Sequence, residues 1–307
     1  MKSTLFKLSS LLFLCNISFA NEIYINQVGD NVDIDITQDG QNNRVSTKST
    51  AQSNATIYGN NQTIDFSQTG DNNKIGLYKH YYGSDGQTSG TMTAEQEGNN
   101  NTLYLDNHGD NNNISAIQKT HNSIMDLEID YDNNTVDARQ KCSAGSNCEE
   151  DNMTLNAYHA NNNTINMGQG YNINTNGQWE YDGTEHGGHN MNLYVSGDRN
   201  NITLSSRNND SNTEHTQSVN IYSDDNDVQI QQTHSDDKSA TLNIYNDDNI
   251  VYWKQTKNSG HTGTVNLNGS YGTNLSITQK SNTTAQSYTL TQDCQTSGGC
   301  SISVTQQ

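Results

Sequence analysis

One frame recurs along this chain and limits what it can fold into: Asn, apolar, apolar, Gln, read at every second residue. It stands as Asn249, Val251, Trp253, Gln255; as Asn112, Ile114, Ala116, Gln118; as Asn134, Val136, Ala138, Gln140; and as Asn163, Ile165, Met167, Gln169. Asn226, Val228, Ile230, Gln232 repeats it, and Thr273, Leu275, Ile277, Gln279 does so with Thr in place of Asn. Alternation by two keeps these residues on one face of a strand, whereas a helix would scatter them around its axis. The inward face is bracketed by amides where Val or Leu would be ordinary.

The closing glutamines fall at a nearly fixed interval: Gln96, Gln118 and Gln140 are 22 residues apart, and Gln232, Gln255 and Gln279 are 23 and 24 apart. Such a period marks an array in which one supersecondary unit stacks on the next. Earlier units close on Gln38 and Gln68 in the same way. From Ser123 the unit reads as a strand with Met125, Leu127 and Ile129, a turn at Tyr131-Asp132-Asn133, a strand ending at Gln140, and a longer loop. The layout returns as Leu155 and Ala157 with Ile165 and Met167, and runs on to Leu290 with Ile302 and Val304. The expected fold is all-β: a solenoid of stacked two-strand rungs with about 22–24 residues per repeat, amyloid-like in its cross-β stacking. It fills residues 21–307, with irregular loops at 44–54, 79–90, 141–152, 170–190 and 207–217.

Composition alone points the other way, because a 30% apolar chain with 34 acidic and 15 basic residues leans towards disorder. A disordered chain, however, has no reason to hold Ile and Leu in a two-residue frame at a constant period. The chain contains no proline, which suits strands whose amides all meet partners. A single rung has too few apolar side chains to offset the entropy of ordering it. Stacking in register supplies each strand with backbone partners above and below and lets each Asn or Gln bond its counterpart. The first and last rungs then expose unpaired backbone, a template for another molecule.

Met1–Ala20 has Lys2 and Lys7, an apolar run from Leu8 to Phe13, and Ser18-Phe19-Ala20, the pattern of a Sec-type signal peptide. Leu14 before Cys15 is wrong for a lipobox, which needs a small residue there. Beyond the leader no segment approaches the roughly 18 apolar residues of a membrane span, so the expected destination is secretion to the cell surface or beyond. Without Lys2 and Lys7 the net charge is 13 minus 34, or −21, which disfavours nucleic acid and anionic membrane as partners. Cys142 with Cys148 and Cys294 with Cys300 read as two local disulfides in an oxidising compartment. A zinc site is the rival, though Cys-x5-Cys without an adjoining His is poor zinc spacing.

The most metal-like stretch is Asp182, Glu185, His186 and His189, a His-x-x-His with carboxylates beside it. A solvated acidic loop is the competing reading. No nucleophile motif or phosphate loop stands out, no cofactor is called for, and the reading is that of a non-enzyme. A polysaccharide-acting β-helix has a similar coil length but three strands per coil. Asp224, Asp225, Asp247 and Asp248 fall in adjacent turns, where stacked charge repels and acid or a divalent cation gives relief. Tyr222, Tyr245 and Tyr252 read as an outward aromatic ladder.

Gln27-Val28-Gly29-Asp30-Asn31, Gln38-Asp39-Gly40-Gln41-Asn42, Gln68-Thr69-Gly70-Asp71-Asn72 and Gln96-Glu97-Gly98-Asn99-Asn100 are each Gln-x-Gly-x-Asn. With the strand that follows and its closing Gln, they resemble the curlin repeat of secreted bacterial fibre subunits. The resemblance is sharper before Asn134 than after it, where turns such as Ser223-Asp224-Asp225-Asn226 lack the Gly. It implies export through a dedicated outer-membrane pore, polymerisation with copies of itself on a nucleator subunit, and a place in biofilm matrix, adhesion to host or matrix surfaces, and colonisation. The chain departs from the family in its length, its acidity, its disulfides and its lack of a Gly-rich N-terminal segment. A monomeric secreted adhesin or spike of the same fold is the alternative function, and the polysaccharide enzyme a more distant one.

Overall fold

In the strand Thr135–Gln140, Val136, Ala138 and Gln140 are buried while the residues between them are partly or fully exposed. Ile250–Thr256 and Asn274–Lys280 follow the same rule. The computed structural model describes residues 26–28, 33–45, 56–58, 62–69, 71–77, 90–97, 100–108, 113–119, 123–130, 133–140, 150–158, 164–170, 172–173, 179–180, 188–196, 201–207, 214–222, 227–233, 237–245, 250–257, 260–269, 273–281, 286–295 and 300–307, with single turn residues at 31, 111, 162, 225 and 248.

The alternation has one use here: every inward face meets another across a shared core. The described chain passes back and forth between two parallel sheets. The first has eleven strands, from Asp33–Gln38 through Thr135–Gln140 to Ser301–Gln306, and the second nine, from Lys74–Leu77 to Gln286–Cys294. Each strand pairs in register with its equivalent one repeat away, so Val136 lies between Ile114 and Ile165, and Gln140 between Gln118 and Gln169. The fold is a β-solenoid of two-strand rungs, and no helix occurs among the described residues. Two small pairs lie outside the main sheets: Asn26–Val28 with Thr56–Tyr58, and Asn172–Ile173 with Trp179–Glu180.

One continuous apolar core fills the space between the sheets, from Ile36 and Phe66 to Leu275 and Ile277. It is packed to complementary shapes. Trp253 is 2% exposed, and it fits because Gly263 faces it from the other sheet: a Cβ on Gly263 would lie 2.9 Å from Trp253 Cη2.

The turns owe their shape to asparagine. In the Gln-x-Gly-x-Asn turns the left-handed φ falls on the Asn, at Asn42, Asn72 and Asn100, and Asn111, Asn133, Asn162, Asp225 and Asp248 take it in the opposite turns, all with φ between 57° and 61°. Asn and Asp tolerate this region best among residues with a Cβ. The loops are tighter than their expected bounds. Arg44 already bridges to Lys74, and strands begin at Gly90, Glu150, Gly188 and Glu214.

Candidate functional site

The chemistry-bearing side chains gather at the corner where the first sheet hands the chain to the second. Gln38, Gln68, Gln96, Gln118, Gln140, Gln169, Gln232, Gln255 and Gln279 are all buried there in one column. Gln118 Nε2 donates to Gln96 Oε1 at 3.1 Å and to the Ile124 carbonyl at 2.9 Å. Gln140 repeats this with Gln118 Oε1 and the Asn152 carbonyl, both at 2.9 Å, and Gln169 with Gln140 Oε1 at 2.8 Å. Further along, Gln255, Gln279 and Gln306 each donate to the preceding Gln at 2.7 Å. One amide thus bonds along the stack and across to the facing strand, so it ties rungs and sheets together. Gln68 is the flaw in the column, with both side-chain amide atoms buried and unbonded.

Between Gln169 and Gln232 the register position belongs to Ser206. The short side chain leaves room that Gln217 fills from the second sheet, donating Nε2 to Ser206 Oγ at 3.2 Å. The exchange escaped the sequence reading because Ser206 breaks the closing-Gln rule. Its one available signal is a polar Gln217 in the inward frame of Val219 and Ile221. Of the Asn expected inside, Asn134 is buried, while Asn112, Asn163, Asn226 and Asn249 lie outside the described residues.

Facing the glutamines, the first inward position of the second-sheet strands is also polar. The register places His189, His215, Lys238, His261 and Gln286 in one row. His189 and His215 stack with ring centroids 4.8 Å apart, both buried, as are Lys238 and His261. These groups reach to carbonyls that end first-sheet strands: His189 Nε2 to Arg207 at 2.9 Å, Lys238 Nζ to Lys257 at 2.7 Å, and His261 Nε2 to Lys280 at 3.1 Å. A carbonyl partner assigns the proton to Nε2 in both histidines. Burial lowers the pKa of His189 to about 4, opposed by its bond to Arg207. Burial, then the positive charge of Lys238, brings His261 to about 4. His215 falls well below the ordinary value through burial, then the charges of His189 and Lys238.

Of the stretch read as a metal site, His189 belongs to this buried row, and Asp182, Glu185 and His186 lie outside the described residues. Among the described residues no three His, Cys, Asp or Glu converge. Cys300 is disulfide-bonded; Cys142, Cys148 and the side chain of Cys294 lie outside the described set.

Outside the core, amides and aromatics stack as well. Asn72 donates to Asn42 and Asn100 to Asn72, both at 3.1 Å, and Asn266, Asn243 and Asn220 form a ladder at 2.7 and 2.8 Å. Tyr158, Tyr194, Tyr222 and Tyr245 run beside that ladder. At the C-terminal end, Ile302 and Val304 sit in the core columns yet are 37% and 40% exposed, because no described strand covers them. No family model, curated protein or solved structure matches this chain.

Proposed function

We propose that this chain is a secreted structural subunit that polymerises end to end into extracellular amyloid-like fibres, as its curlin-like repeats suggest. The observation that carries the reading is the pair of open edges. Among the described residues, Asp33–Gln38 and Ser301–Gln306 are the two ends of the first sheet, and neither has a partner on its outer side. Their sequences match in frame: Asp-Ile-Asp-Ile-Thr-Gln against Ser-Ile-Ser-Val-Thr-Gln. Laid together in the register of the internal rungs, Ile302 covers Ile34, Val304 covers Ile36, and Gln306 meets Gln38. Ladder direction agrees, because Gln96, Gln118, Gln140, Gln232, Gln255 and Gln279 each accept at Oε1 from the Gln of the next rung, and an added copy's Gln38 would donate to Gln306 in the same sense. The outward serines 301 and 303 would face Asp33 and Asp35, so the junction brings no like charges together. A head-to-tail contact of this kind does not close on itself and generates a filament.

The test is growth from purified chain lacking residues 1–20, followed by an amyloid dye and electron microscopy, with Val304→Lys as the edge variant. Fibres are expected from the parent chain. The variant is expected to keep its β-sheet spectrum and lose at least about tenfold in elongation rate, since a charge enters the desolvated junction. Parent protein that stays monomeric at every concentration, even with added seeds, would support the adhesin or spike reading instead.

A further inference from the structure

The tyrosine strip on the outer face of the second sheet is not uniform. Tyr158 with Tyr194 and Tyr194 with Tyr222 are tilted pairs, at 48° and 40° between ring planes and 5.2 and 5.1 Å between centroids. Tyr222 and Tyr245 differ: their planes are 8° apart and their centroids 4.3 Å apart. The in-register pairing of Glu214–Ile221 with Asp237–Ile244 brings them together, since each tyrosine directly follows its strand. Both rings are about 40% exposed. Near-parallel rings at this spacing turn one face of each toward the other, which bars a sugar from between them and brings ring carbon within coupling reach of ring carbon.

We propose that Tyr222 and Tyr245 form an oxidative cross-linking site, where a one-electron oxidant of the peroxidase class joins the two rings as dityrosine. Each phenol gives up one electron and its hydroxyl proton to become a phenoxyl radical. The radicals combine through their ortho carbons, and the two ring hydrogens at the new bond return to the oxygens on enolisation. The net change is loss of two electrons and two protons, which convert one hydrogen peroxide to two waters. Tyr222, like any phenol, keeps its proton at neutral pH, and the neighbouring Tyr245 raises its pKa further, so the proton departs with the electron. The product is a covalent rivet between neighbouring rungs, made without cysteine.

The experiment treats the folded full chain with a haem peroxidase and hydrogen peroxide and maps cross-linked peptides by mass spectrometry, with free tyrosine as the internal control. Proximity is expected to make the 222–245 link about tenfold or more commoner than any link involving Tyr104 or Tyr252, which are 37% and 50% exposed. The preference should vanish in denaturant, and Tyr222→Phe or Tyr245→Phe should remove that peptide while leaving the β-sheet spectrum unchanged. A folded chain with no 222–245 link while free tyrosine dimerises, or with the same link pattern folded and unfolded, would overturn the proposal.

Discussion

Gly263 is the smallest side chain on which the packing depends. Trp253 occupies the space its missing Cβ leaves, and a methyl there would lie 2.9 Å from Trp253 Cη2. Gly263→Ala is expected to cost about 1–3 kcal/mol through overpacking, read as a lowered midpoint in denaturant unfolding. Gln255 is the second test at this scale, because its Nε2 donates both to Gln232 and to the Thr262 carbonyl. Gln255→Glu replaces that donor with an acceptor, leaving two buried oxygens unbonded at a cost of about 1–3 kcal/mol. The deficit against the parent chain should shrink at pH 4, where a protonated Glu donates again; an unchanged deficit would mean the ladder bond is not what was lost. The inward position of Trp253 is legible from the two-residue frame. Gly263 is not, since only its rung partner across the core shows why it must be small.

At the scale of a strand column, the buried histidines make stability depend on pH. The folded values of His189 and His261 lie near 4 and that of His215 lies well below the ordinary range, whereas the unfolded value is about 6.5. From pH 6.5 down to about 4 the unfolded chain therefore binds protons that the folded chain refuses, and stability falls as pH falls through that window. His189 alone accounts for about 3 kcal/mol of the loss by the bottom of the window. Chemical unfolding at pH 7.5 and 5 should show the drop, and His189→Gln should reduce it by the His189 share while His215 and His261 still contribute; equal stability at both would contradict the buried row. The Asp225 and Asp248 turns place like charges at equivalent positions of adjacent rungs. Asp248→Asn keeps a residue suited to positive φ, so a small gain of a few tenths of a kcal/mol is expected, with calcium losing most of its stabilising effect. These two columns differ in how far the sequence reveals them. The stacked acids follow from the period alone. His189 reads as part of a His-x-x-His loop, because its strand begins at Gly188, inside a stretch that composition marks as irregular.

For the whole molecule, period and frame together dictate two sheets, parallel pairing and an amide-lined core, and these were legible because each recurs many times. What occurs once was not: the Ser206–Gln217 exchange and the Tyr222–Tyr245 stack depend on which rungs become neighbours. The proposed assembly rests on the same repetition, since among the described strands the last of the first sheet, Ser301–Gln306, has the sequence pattern of the first, Asp33–Gln38. Eleven first-sheet strands at about 4.8 Å each give one chain a length of about 53 Å along the stack. The most direct test is the mass per unit length of a single protofilament, measured by scanning transmission electron microscopy. Solenoids joined head to tail are expected to give one chain per about 5 nm; one chain per about 0.5 nm, with each copy contributing a single layer, would contradict the account.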